Sequence, residues 1–392
     1  TFAEADEAFM AVQTFTAHRE TMESIASIRH NVDTRDAFYE KEAQVRAEEG
    51  PILYQYRHEW DVALLESPFR KQFEEKYGKV PFLNLEIAAK SFDPAIVEEL
   101  QEESKLTMEY SKLIASAQIP FEGGVYTLAQ LGIFKQDPDD AKRRSAWEAE
   151  GKWYTENGAK LDEIYDKLTA LRTAMAKKMG YDNYIPLGYL NMQRNCYDQK
   201  DVEKFRAAVR KYLVPVAEEV CKKQAERLGV AYPMTFDQEA LFYRSGNAAP
   251  KGTPQEILEN GRKFYHELSP ETAEFIDLML DYELLDVESK PGKAGGGYCT
   301  TLPDYKCPFI FANFNGTQHD VEVVTHEAGH AFAGYVARDI IPMECQWPSL
   351  ESCEIHSMSM EFFAWPWAQD FFKEDTDKFL YKHLAGALTF IP

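Results

Sequence analysis

The chain has 392 residues, 45% of them hydrophobic, enough for one large or two medium domains and too apolar for a disordered chain. Lys and Arg number 43 against 65 Asp and Glu, and the resulting charge of −22 argues against nucleic acid and anionic membrane surfaces as partners. No apolar run approaches the ~18 residues that span a bilayer, and Thr1-Phe2-Ala3-Glu4-Ala5-Asp6 lacks the basic and apolar parts of a signal peptide.

Taken in order, the sequence predicts a mainly α protein. Residues 1–130 read as an N-terminal helical region, and residues 131–392 as a second region that holds the chemistry. Helix starts with Pro at the first helical position stand at Asp93-Pro94, Asp137-Pro138, Thr253-Pro254 and Ser269-Pro270. Thr253 with Glu256 also makes a capping box. Phe205, Val209, Tyr212, Leu213, Val216 and Val220 recur three and four apart, the period of an amphipathic helix. The six cysteines (196, 221, 299, 307, 345 and 353) include no C-x-x-C pair, the pattern of reduced thiols in a cytosolic protein.

Residues 290–316, KPGKAGGGYCTTLPDYKCPFIFANFNG, break the helical texture. Gly295-Gly296-Gly297 predicts a tight turn or a close backbone approach, and Cys307 to Phe314 reads as a strand. The pair makes a hairpin that either packs on the core or offers an edge strand to an extended peptide. In the second case Gly296, Gly297 and Tyr298 are the residues that meet it.

The next segment reads as a helix, with Val321, Val324, Ala328, Ala331 and Tyr335 on one stripe and Thr317 or Asp320 to cap it. On it His326 and His330 sit one turn apart, so both imidazoles can reach one tetrahedral zinc ion. Glu327 between them projects beside such a metal, where it can take a proton from an attacking water and pass it to a leaving amine. With 9 His in 392 residues, H-E-x-x-H arises by chance about 0.02 times per chain, so the motif is specific. Zinc needs a third protein ligand. A third His six residues after His330 is excluded, since that residue is Val336. A second helix is expected just after Pro348, carrying Glu351, Glu354, Met358 and Glu361. Glu351 and Glu354 are both candidates for the third ligand, with Cys353 and His356 as outsiders, and spacing alone does not choose.

H-E-A-G-H at 326–330 followed by E-I-H-S-M-S-M-E at 354–361 resembles the oligoendopeptidase F branch of the thimet-oligopeptidase-like zinc metallopeptidases. Residues 171–184 and Gly295-Gly296-Gly297-Tyr298-Cys299 resemble the same family. The resemblance implies Glu354 as the third zinc ligand and Glu361 as a carboxylate that holds a ligand histidine in its tautomer. It implies a multi-helix ellipsoid with a deep substrate channel, a small sheet beside the zinc helix, and oligopeptides as substrates. Family members draw oxyanion-binding His and Tyr residues from a segment well downstream. Here only Tyr381 and His383 stand near the end, and the apolar run 384–392 leads to the expectation of a missing C-terminal segment or a second chain packed there. The competing readings are a helical metallocarboxypeptidase and a metal-dependent binder that holds peptides without cutting them.

Overall fold

Helices dominate the computed structural model, which describes residues 1–392, and several begin where a side chain can take up free N–H groups. The Asp93 carboxylate accepts from Ala95 N at 2.8 Å. Thr253 and Ser269 head the helices Pro254–Leu268 and Pro270–Asp281 with capping boxes. At the remaining Pro-marked start the helix begins later than expected. Asp139 caps the long helix Asp140–Lys178 through Lys142 N (2.8 Å), while Asp137 accepts from Asp139 N in the turn before it.

The apolar stripe through residues 205–220 departs from its expected role. Phe205, Tyr212 and Val216 are exposed, although Val209 is buried. Phe205 lies on a helix, Gln199–Ala208, that buries no residue, and a π turn over Val209–Leu213 follows it. The extra residue in that turn rotates the inward face by one position, so Ala217, Gln224 and Leu228 go inside in place of Val216.

Two long helices, α1 (Phe2–Val32) and α2 (Ala37–Leu65), open the chain and pack through a small core of Phe9, Leu64, Phe73, Phe82 and Leu85. A two-stranded hairpin, β1 (Ile119–Phe121) with β2 (Gly124–Tyr126), follows. The sequence reading missed it. Its two-residue turn, Glu122-Gly123, has φ of 47° and 78°, the left-handed pair that matches the twist of a hairpin.

The second sheet positions the site. Its order is β3 (Leu285–Glu288), β5 (Cys307–Phe314), β4 (Tyr298–Leu302). β5 runs antiparallel to β4 and parallel to β3, a strand also missed from sequence. The turn between β4 and β5 is Pro303–Tyr305 with Lys306 at φ 52°, so the three glycines are not the hairpin turn. They form the loop that leads into β4, and Asn313 ties that loop down by donating its amide to the carbonyls of Ala294 and Gly296, each at 2.9 Å. β4 is an edge strand. α1 lies along its open side, joined at one end by Ala294 N to Asn31 O (2.8 Å) and at the other by Asp304 N to Thr21 Oγ1 (2.9 Å).

Packed against this sheet is the helix His319–Ala337, whose expected stripe of Val321, Val324, Ala328, Ala331 and Tyr335 is buried throughout. Its first half sits with Ala312, Phe314, Phe371, Phe372 and Phe379. Its second half sits with Phe264, Tyr265, Phe275, Met279 and Met360. Phe275 is fully buried, and cutting such a side chain back to alanine costs about 3–5 kcal/mol. The rigid seat matters because the polar face of this helix carries the candidate site. Between α1 and β4 lies a cavity of about 610 Å³, and a larger one of about 870 Å³ adjoins it, bounded by α2 and its neighbours. No helix is long and apolar enough to cross a membrane.

Candidate metal centre

The helix His319–Ala337 starts at Gln318, so neither expected cap residue is the N-cap. Asp320 instead accepts from Asn315 N (2.9 Å) and Gly316 N (2.8 Å), which fixes the turn after β5, while Thr317 Oγ1 accepts from His319 N. The second helix, Cys353–Phe363, begins later than expected after Pro348, because Ser349–Ser352 forms a turn closed by Cys353 N to Ser349 O at 3.0 Å. The two helices cross at Gly329. A Cβ there would stand 2.7 Å from Ser357 Cα, 3.1 Å from His356 O and 3.1 Å from Met360 Cβ, so only glycine admits this approach. The crossing brings Glu354 over the histidine pair.

His326, His330 and Glu354 each offer one ligand atom, and these atoms lie within 4.8 Å of one another. Glu354 Oε2 is 3.2 Å from His326 Nε2 and 3.7 Å from His330 Nε2. Bonds of ~2.0–2.1 Å at tetrahedral angles separate ligand atoms by about 3.3 Å, so this donor set fits zinc in both chemistry and spacing. Glu351 takes no part. Its carboxylate is gripped by Arg194 through Nε and Nη2. Ser357, one turn after Glu354 and fully buried, donates to Glu354 Oε2 at 2.9 Å and aims that carboxylate at the histidines.

Behind the donor set runs a chain of hydrogen bonds whose direction follows from its end. Trp365 Nε1–H can only donate, and it lies 3.0 Å from His383 Nδ1. His383 therefore donates from Nε2 to Glu361 Oε2 at 2.5 Å. Glu361 Oε1 accepts from His326 Nδ1 at 2.6 Å, which leaves Nε2 of His326 facing Glu354 with its lone pair free. Glu361 thus bonds to one histidine of the cluster. Burial works to raise its carboxyl, but the hydrogen bonds from His326 and His383 outweigh it and hold the group below the usual range. His383, considered from sequence as an oxyanion group, is 7% exposed and turned to Glu361. Tyr381 packs edge-on against Tyr243 and beneath the Arg227 guanidinium. His330 Nδ1 meets His356 Nε2 at 3.1 Å, so His356 supports a histidine and is not part of the cluster. Burial and the neighbouring His326 push the His330 imidazole down to about 4, so it stands neutral with a lone pair to give.

Glu327 lies beside the cluster on its own helix. Burial raises its carboxyl, as does the Glu354 charge, with His326 pulling the other way. A Cβ on Gly297 would come 3.3 Å from Phe311 O and 3.6 Å from Glu327 Oε1, so the chain entering β4 passes directly over this carboxylate. Gly296, at φ 83°, makes the bend before it. Tyr298 stacks on Phe311 at 4.9 Å, and its hydroxyl accepts from Asn31 at 3.0 Å, which joins β4 to α1. Of the three, Gly297 lies over Glu327, Gly296 precedes it in the loop, and Tyr298 is the first residue of β4. The support roles of Ser357, Trp365 and His383 were missed. Ser357 was detectable from its i,i+3 spacing to Glu354, whereas nothing local marks the other two.

The description Peptidase M3 N-terminal domain matches residues 1–92, and Peptidase family M3 matches residues 133–387. No curated protein matches the chain. Among solved structures, a provisionally assigned oligoendopeptidase F superposes with a TM-score of 0.98 at 45% identity, covering 100% of this chain and 69% of that one. PZ peptidase A with an inhibitor gives a TM-score of 0.98 at 47% identity, covering 100% of this chain and 70% of that one. A second provisionally assigned oligoendopeptidase F, from Bacillus anthracis, gives 0.97 at 44% identity, covering 99% of this chain and 71% of that one.

Proposed function

The chain belongs to peptidase family M3, and on that premise we propose that it is a zinc-dependent oligoendopeptidase cutting internal bonds of short peptides. The observation that carries the reading is the His326, His330 and Glu354 donor set with a second carboxylate, Glu327, held beside it under the edge of β4. Bound by the three donors, zinc would supply Lewis acidity toward a water molecule and toward the carbonyl of the bond to be cut. Glu327 accepts a proton from the attacking water and delivers it to the leaving amine nitrogen, a role that a carboxyl raised by burial suits. Glu361 holds His326 in the tautomer that presents Nε2, and Ser357 holds Glu354. The peptide lies along β4, exchanging backbone hydrogen bonds with the free edge in the cavity between that strand and α1. All six cysteines are free, in keeping with a cytosolic site of action.

The test is cleavage of an internally quenched peptide blocked at both ends, with and without a chelator. Cutting that stops on zinc removal and returns with zinc supports the reading. An end-blocked peptide that survives while an unblocked one loses single C-terminal residues would replace it with a carboxypeptidase.

A further inference from the structure

The two cavities share three lining residues, Glu23, Ser27 and Asn31, which recur every fourth position along α1. The stripe they form borders both cavities, so the larger one adjoins the space beside the β4 edge along α1. The larger cavity's charged lining groups are Arg19, Glu23, Arg46 and Glu103. Arg19 is paired with Glu23 at 2.9 Å, and Glu103 with Arg172 at 2.6 Å. His30 is buried, and burial together with the Arg46 charge lowers it, so it adds no cation at neutral pH.

Arg46 is the exception. Its Nε donates to Glu42 O at 3.2 Å and its Nη1 to Glu23 O at 2.6 Å, both backbone carbonyls. Glu23 and Glu42 are the nearest acids, and neither carboxylate makes an ion pair with it. Of the five N–H groups of a guanidinium, three remain without a protein partner, both of those on Nη2 among them. Two backbone carbonyls fix the plane of the group, while the Glu23 and Glu42 carboxylates act on it only from a distance. In a chain of net charge −22, an arginine anchored in this way at a cavity wall is poised for an anion.

We propose that Arg46 is the anchor of a carboxylate-binding subsite that selects peptides carrying an anionic group at a set distance from the cleaved bond. The proposal rests on the reading of the β4 cleft as the peptide site. The part of that distance that lies beyond Tyr298 follows from α1. Glu23, whose carbonyl holds Arg46, precedes Asn31, which bonds Tyr298, by eight residues, or about 12 Å of helix. An extended peptide covers that length in about four residues beyond Tyr298. The recognised group is either the free C-terminus or an acidic side chain, and the chemistry at Arg46 is the same for both.

The experiment uses fluorescent octapeptides and reads binding by anisotropy with chelator present, so that nothing is cut, then cleavage with zinc restored. One peptide ends in a carboxylate and a second in an amide. A further amide-ended set places Glu in place of Gln at each position in turn. Wild-type protein should bind the carboxylate-ended peptide, or one member of the Glu set, about 10- to 100-fold more tightly than its neutral twin. Preference for the carboxylate end identifies the C-terminus as the source, and a maximum at one Glu position identifies the side chain. Arg46→Gln should bring the ratio close to one, and Arg46→Lys should restore part of it, since the charge returns without the planar fork. Equal binding of charged and neutral peptides by wild type, or a ratio that survives Arg46→Gln, overturns the proposal. Cleavage without such a preference refutes the subsite and leaves the peptidase reading standing. An Arg46-dependent preference with no zinc-dependent cleavage upholds the subsite as an anion site and refutes the peptidase reading.

Discussion

Replacing Gly329 by alanine places one methyl group at the crossing of the two helices that form the metal cluster. The new Cβ would stand 2.7 Å from Ser357 Cα, and ordinary contact begins at 3.4 Å, so the helices must part by about 0.7 Å. The atoms in the way are backbone and the base of a side chain, so no rotamer change relieves the clash. The Glu354 helix must move as a body, and Glu354, one turn before Ser357, moves with it. Ligand distances in metal sites hold to about 0.2 Å, so a shift of this size loosens one of three protein ligands. Overpacking of this kind costs ~1–3 kcal/mol in stability, and zinc affinity should fall about 10- to 100-fold. Competition with a chromophoric chelator measures the second quantity, and thermal unfolding in the presence of EDTA measures the first. A folded Gly329→Ala protein with wild-type zinc affinity would show that the crossing does not set the position of Glu354, and the derivation would fail.

Glu327→Gln should keep stoichiometric zinc by elemental analysis while turnover falls by ~10²–10⁴, as expected of a base that is not a ligand. Zinc content should collapse in Glu354→Ala and persist in Glu351→Ala, where only the pairing with Arg194 is lost; equal retention would place the third ligand elsewhere. Trp365→Phe frees His383 from its imposed tautomer and should weaken zinc binding by up to ~10-fold in chelator competition, with His383→Gln, which keeps a donor, milder than His383→Leu. Burial opposes the Glu322 carboxylate, but His319, Lys382 and Gln318 outweigh it and lower the group to about 2. Its stabilisation is therefore present above the unfolded value of ~4.3 and is lost as pH falls toward the folded value, an upper limit of about 3 kcal/mol. Denaturant unfolding of Glu322→Gln against wild type should show a gap at pH 6 that closes by pH 2, and a constant gap would contradict this.

What could be read from the sequence follows how local each determinant is. His326, Glu327 and His330 lie within one helical turn, so their spacing alone carries their geometry. Glu354 and Glu351 lie one turn apart on the approach to the second helix, and their difference is decided by Arg194, more than 150 residues away in the chain. The Trp365–His383–Glu361 chain joins separate helices with no shared period. The later part of the stripe at 205–220 went astray for another reason: periodicity assumes an unbroken α-helix, and the π turn at Val209–Leu213 moves the residues after it to a new face. β3 was missed because its four residues, Leu285–Glu288, show half-buried alternation too short to separate from a loop.

An unpaired strand edge invites other chains to pair with it, and proteins ordinarily blunt such edges with charge, bulges or a covering segment. β4 cannot be closed off along its whole edge if that edge is to take up a peptide. α1 resolves the conflict as a rail pinned at both ends of the strand, through Asn31 to the glycine loop and through Thr21 to Asp304. On the proposed reading a single extended segment enters between rail and strand, whereas the edge of a neighbouring molecule's sheet would arrive with its own flanking strands. The sticky edge is thus sorted by thickness, and self-association through β4 is barred by the same helix that walls the cleft. Loosening α1 at either pin should therefore show first in aggregation on storage and only later in unfolding.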